Sequence, residues 1–213
     1  MGTNINADQF IKRLSALRSP GKAKARSHLA SDGDDVVMGV RMGQVFALAK
    51  EFMDMPLDQV EKLLESPIHE VRVGAVSIMD FQARSKKTGE TRRKQLFDLY
   101  IRRHDRINTW DLVDRSAPYV VGEYLFDKPR KILYKLAKSK QMPERRTAIV
   151  STLYFVGKGD VAERREVKAG AKEGRLRLIE SGLRPEEWGI TSETEVLRPG
   201  ERVEPRRTTP KSN

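Results

Sequence analysis

The chain predicts an all-α fold: a solenoid of stacked antiparallel helix pairs forming a curved superhelix. Three observations carry this expectation. Apolar residues recur at three- and four-residue spacing through most of residues 1–160. No segment sustains a polar–apolar alternation, and no Asn-Gly hairpin signal occurs. Helix starts also recur: the second helices of three pairs begin near residues 69, 108 and 143, a spacing typical of helical-hairpin repeats.

Ile5, Phe10, Ile11, Leu14 and Leu17 give a first helix over residues 5–18, stopped by Ser19-Pro20-Gly21. Residues 22–30 read as a short helix and Ser31–Asp35 as a polar turn. A new stripe runs through Val45, Phe46, Leu48, Ala49 and Phe52, giving a helix over 42–53. Three pairs follow. Pro56 to Leu64 leads to a helix opening at His69; Arg92 to Arg103 leads to one opening near Asn108; Pro129 to Lys138 leads to one opening at Pro143. Proline in the first turn, with acidic residues just after it, suits these starts because that turn lacks hydrogen-bond acceptors for its amides and favours negative charge. Pro118 cannot donate to the carbonyl of Asp114, so the helix should bend or open there. After Asp160 the composition changes. Residues 161–180 read as one exposed charged helix and 189–213 as a disordered tail, which sets a helical-repeat domain at 1–160 and a charged C-terminal region at 161–213.

The 213 residues include 41 Lys and Arg against 30 Asp and Glu, a net charge of +11. Residues 1–160 hold 29 basic and 20 acidic side chains, whereas 161–213 hold 12 and 10. The surplus therefore belongs to the repeat region and points to a polyanionic partner, nucleic acid first. Cysteine is absent, and His28, His69 and His104 lack ligand spacing, so no metal or other cofactor is expected. No apolar run or signal peptide suggests a membrane; the chain reads as a soluble, cytoplasmic monomer.

Asp114 follows Trp110 by one helical turn in Asn108-Thr109-Trp110-Asp111-Leu112-Val113-Asp114, so an indole and a carboxylate share a helix face. A lone buried carboxylate is costly, which leaves Asp114 hydrogen-bonded locally or facing a wet groove. Other readings stand beside this one. Trp110, Val113, Ala117 and Val120 form a stripe that suits a core; Asp114 suits an ion pair with Arg115 or another arginine; Asp111 suits a first-turn role. Arg146 shares its repeat position with Arg72, which suits a salt bridge between neighbouring pairs.

Three segments resemble the DNA alkylation repair family of HEAT-like DNA glycosylases. They are Gly39-Val40-Arg41, opening a helix that ends Leu48-Ala49-Lys50; Trp110-Asp111-Leu112-Val113-Asp114 with Ser116-Ala117; and Arg145-Arg146-Thr147-Ala148-Ile149 running to Tyr154-Phe155. The likeness covers residues 35–160. It implies hydrolysis of the N-glycosidic bond of N3- and N7-alkylated purines in double-stranded DNA, without deep base flipping. On that resemblance Trp110 and Asp114 are the catalytic pair, and Arg146, Arg145 and Arg41 contact DNA. The family continues with another helical pair carrying a second site tryptophan. Residues 161–213 show no such pair, and Trp188 sits in a Gly/Pro-flanked stretch. The competing expectations are a non-catalytic DNA-binding repeat protein and a protein-binding solenoid scaffold.

Overall fold

A computed structural model describes residues 5–19 and 36–158, and the backbone of two strands at 168–173 and 176–181. The chain divides into two compact units, Met1–Gly157 and Lys158–Asn213. The first is all-α. Among its described residues the helices are α1 (Ala7–Ala16), α2 (Met42–Glu51), α3 (Leu57–Leu64), α4 (His69–Arg84), α5 (Glu90–Arg102), α6 (Trp110–Ala117), α7 (Lys131–Ala137) and α8 (Met142–Gly157), with a π-helical segment, Pro118–Glu123, running on from α6. The three expected pairs are α3–α4, α5–α6 and α7–α8. The short helix at 22–30, the turn at 31–35 and the tail at 189–213 lie outside the described residues.

Local chemistry sets the helix ends. Asn6 caps α1, its side-chain oxygen accepting from the Gln9 amide at 2.9 Å. Extended residues at Arg41, Ile68, Gly89 and Thr109 precede α2, α4, α5 and α6. Pro118 leaves the 114 carbonyl without its usual amide, and there the α-helix gives way to the wider π-helical turn.

The helices form two layers. The second member of each pair packs on the next, α2 on α4, α4 on α6 and α6 on α8; α1, α3 and α5 follow one another in the other layer. Helix α4 is central. It is flanked by α2, α3, α5, α6 and the π-helical segment, and every residue from Glu70 to Asp80 is buried. Burying charged groups demands partners. Glu70 meets the demand by accepting from the amides of Met38 at 2.9 Å, Gly39 at 2.8 Å and Val40 at 3.3 Å. The loop can converge on one carboxylate because Gly39 takes φ 87°, a left-handed conformation that side-chain-bearing residues resist. The Gly-Val-Arg segment thus precedes α2 as an anion cradle, with Arg41 at the cap.

The second unit corrects one expectation. Lys168–Glu173 and Leu176–Ser181 are antiparallel strands, β1 and β2, with Glu173 paired to Leu176, where the sequence predicted a single charged helix over 161–180. The Lys, Arg and Glu content favoured helix. The sequence between the strands, Gly174-Arg175, nevertheless carries the Gly-X signature of a two-residue hairpin connection, and strand pairing across it overrode a weak helical propensity.

Packing is closest where the π-helical segment meets α8. A Cβ on Gly122 would press into the backbone carbonyl of Ser151 and lie 3.0 Å from Tyr154 Cβ, while one on Gly43 would meet nothing within 4 Å. Gly122→Ala is therefore expected to lower stability by about 1–3 kcal/mol, and Gly43→Ala to leave it unchanged or slightly raised. Urea unfolding of both variants measures the difference; equal midpoints would show that the two segments do not pack this closely.

Candidate functional site

Helix α6 enters the site with its first residue, Trp110, whose side chain emerges because the helix starts there. Val113, Ala117 and Val120 continue the same stripe into the core, but Trp110 remains 45% exposed. It is not a core residue. Ahead of it Thr109 is extended and buried, and its hydroxyl donates to Asp111 Oδ1 at 2.6 Å. The other oxygen, Oδ2, lies 2.7 Å from Nε2 of His69, the first residue of α4. Burial pushes the Asp111 carboxyl upward, but the hydrogen bond and charge of His69, with the Thr109 hydroxyl, outweigh it and hold the group below its usual range. Asp111 is thus a clamp between two adjacent pairs, a larger role than a first-turn charge.

One turn beyond Trp110, Asp114 meets Arg146 of α8. Nε and Nη2 of the guanidinium donate to Oδ1 and Oδ2, both at 2.6 Å, a planar fork that fixes the carboxylate's orientation. Both side chains are partly exposed, Asp114 at 35% and Arg146 at 29%, so the pair borders solvent. Arg146 is held from behind. Its neighbour Thr147 is buried, and its hydroxyl lies 3.0 Å from the Tyr100 hydroxyl and 2.8 Å from His104 Nε2, both on the α5 side. Burial raises the Tyr100 phenol above its ordinary value and keeps the His104 imidazole below its own.

The structure therefore joins Trp110, Asp114 and Arg146 across α6 and α8. The arginine partner foreseen for Asp114 is Arg146, not Arg115, which turns to α4 and pairs with Asp80 at 2.9 Å. Arg145 turns the other way: its Nη1 donates to the Ser139 and Lys140 carbonyls at 3.0 and 2.9 Å, bracing the loop before α8. Arg41 stands exposed at the start of α2, which packs on α4. His69 and Thr109 join the site without having been expected there. A signal existed, since His69 and Asp111 open neighbouring second helices, and Asp114 and Arg146 are each the fifth residue of theirs.

The family model described as DNA alkylation repair enzyme matches residues 10–188, most of the chain. The chain belongs to the DNA alkylation repair family. The matched range is wider than the 35–160 segment delimited by motifs and takes in residues of the hairpin unit. This family member gave no match to curated proteins or to solved structures. Membership places it among DNA-repair proteins. Among its described residues no helix is long and apolar enough to cross a membrane, and no group of three or more His, Asp or Glu is arranged to hold a metal ion.

The neutral, buried His104 has a consequence for stability. Its folded pKa lies below the ordinary 6.5, so the unfolded chain takes up the proton first. The stability contributed by neutral His104 is present above about pH 6.5 and is lost as pH falls toward the folded value. Thermal melts are expected to show a decline below pH 6.5 that His104→Gln reduces, while the variant melts lower than the parent at pH 8. An unchanged acid slope would show that His104 is not the responsible group.

Proposed function

We propose that the protein is a DNA glycosylase that hydrolyses the N-glycosidic bond of N3- and N7-alkylated purines in duplex DNA. The observation that carries this reading is the exposed Trp110 beside the partly exposed, arginine-oriented carboxylate of Asp114. An alkylated purine bears positive charge and leaves without much help from an acid. The difficult moment is the electron-deficient sugar left behind. Asp114 stabilises that cation and orients the attacking water. The Trp110 ring adds cation–π attraction, on the order of 0.5–2 kcal/mol.

Arg146 has two roles in this scheme. In the free protein its fork holds the carboxylate plane. Beside DNA, a backbone phosphate competes for the guanidinium and draws it from Asp114, leaving the full carboxylate charge for the sugar. The basic surplus of residues 1–160 supplies the general attraction for the duplex.

The closed Asp114–Arg146 pair also favours a second reading, a non-catalytic DNA-binding repeat protein in which the two residues serve only to join neighbouring helix pairs. Single-turnover release of 7-methylguanine or 3-methyladenine from alkylated duplex separates the two. For the glycosylase, Asp114→Asn should lower release by about 10²–10³-fold, with duplex affinity unchanged or improved because a negative charge is lost near phosphates. Release by the unmutated protein at the rate of the uncatalysed reaction would overturn the glycosylase reading; full activity of Asp114→Asn would overturn the role given to Asp114.

A further inference from the structure

Where α4 ends and the π-helical segment begins, two arginines share one carboxylate. Asp80 is fully buried. Arg84 Nε donates to its Oδ1 at 2.9 Å, and Arg115 Nη1 lies 2.9 Å from its Oδ2. Arg115 also donates through Nε to Ser77 Oγ at 3.1 Å and lies over the rings of Phe46 and Phe81, each 4.9 Å from its guanidinium carbon. Arg84 lies over the Tyr119 ring at 3.7 Å. Two positive charges thus face one negative charge, and the site keeps a surplus of one.

The two arginines differ in what they present to solvent. The Arg115 side chain is mostly enclosed, but that of Arg84 is 44% exposed. Its Nε is taken by Asp80 and one face by Tyr119. Among the described residues, neither terminal nitrogen of Arg84 has a hydrogen-bond partner. A guanidinium clamped at its inner edge and stacked on a ring has little freedom left to lose. Its outer edge still offers the paired donors that match two oxygens of a phosphate.

We infer that Arg84, clamped by Asp80 and Tyr119, is a phosphodiester anchor for duplex DNA. This assignment rests on the reading of the protein as acting on DNA, and adds a second contact point to that surface. The helix connecting the two points is continuous. Asp114 and Tyr119 are five residues apart along α6 and its π-helical extension, about 7 Å at helical rise. Asp114 and Tyr119 also meet the same helix, α8, Asp114 through Arg146 and Tyr119 through the Tyr154 ring at 5.6 Å, so a strand gripped at Arg84 would follow the seam on which Asp114 lies. Burial pushes the Asp80 carboxyl above its usual range and Arg115 below its own, and the charges of the partners oppose both shifts.

The test is a salt titration of binding to an undamaged duplex, with the full chain and with Arg84→Gln, Arg84→Lys and Arg102→Gln. Arg102 is a comparably exposed arginine on α5 that pairs with Glu61 in the other layer. For Arg84→Gln, the slope of log affinity against log salt should shrink by about one unit, with weaker binding across all sequences. Arg84→Lys should keep most of the slope yet bind less tightly, because the charge remains and the fork is lost. Arg102→Gln should match the parent. Arg84→Gln leaves Asp80 Oδ1 without its donor, so its melting temperature should fall while Arg115 still balances the charge; Tyr119→Leu therefore tests the clamp without removing charge or either partner of Asp80. Parent-like slope and affinity in Arg84→Gln overturn the anchor, even if the protein releases damaged bases. A parent that binds duplex with the expected slope but releases no base leaves the anchor standing and removes the glycosylase reading.

Discussion

The requirement that no charge in α4 be buried alone organises much of the helical unit. Eleven consecutive residues, Glu70 to Asp80, are shielded on all sides, and Glu70, Arg72 and Asp80 are among them. An uncompensated charge in such a place costs several kcal/mol, and losing one partner of a buried pair costs about 3–5 kcal/mol. The neighbours are placed accordingly. The Met38–Val40 loop turns its amides onto Glu70, which sets the entry to α2. Arg115 reaches Asp80 from α6, and Asp111 of the same helix meets His69 at the start of α4. Two contacts along one side of α6 fix both its position and its rotation. Trp110 and Asp114 point where they do because Asp111 and Arg115 are tied to α4.

The helix pairs were legible in the sequence for local reasons. Proline, acidic first turns and three-to-four-residue apolar spacing are short-range signals, and they put the starts of α4, α6 and α8 within about two residues of their observed positions. A departure from α-helix at Pro118 was legible in the same way, since a missing amide is a local fact; its form, a wider π turn instead of a bend, was not. The enclosure of α4 was not legible. Its Glu, Arg, Ser and Asp imitate the polar face of an amphipathic helix, and only the arrival of five neighbours removes that face from water.

The site was legible in its residues more than in its wiring. Trp110 and Asp114 stood out because they lie one turn apart on one helix. The fork from Arg146 crosses 32 positions and the contact of His69 with Asp111 crosses 42, so periodicity within a helix reveals neither. The hairpin failed for the opposite reason. A composition rich in Lys, Arg and Glu spoke for helix across β1 and β2 and outweighed a local signal, the Gly174-Arg175 pair between the partners Glu173 and Leu176.

The bond between Asp114 and Arg146 joins the fifth residues of helices in successive pairs. No single pair owns that arrangement; it exists only at a junction. In an array of repeats, free energy divides into terms within units and terms between neighbours, and an outer unit can fray while the rest stays folded. Detachment of α7 and α8 would then separate the two partners while α1 to α6 stayed intact. Heating should therefore part the two residues ahead of the bulk of the helical signal, and in the proposed glycosylase the half-life of activity would report the firmness of one interface instead of the melting of the whole.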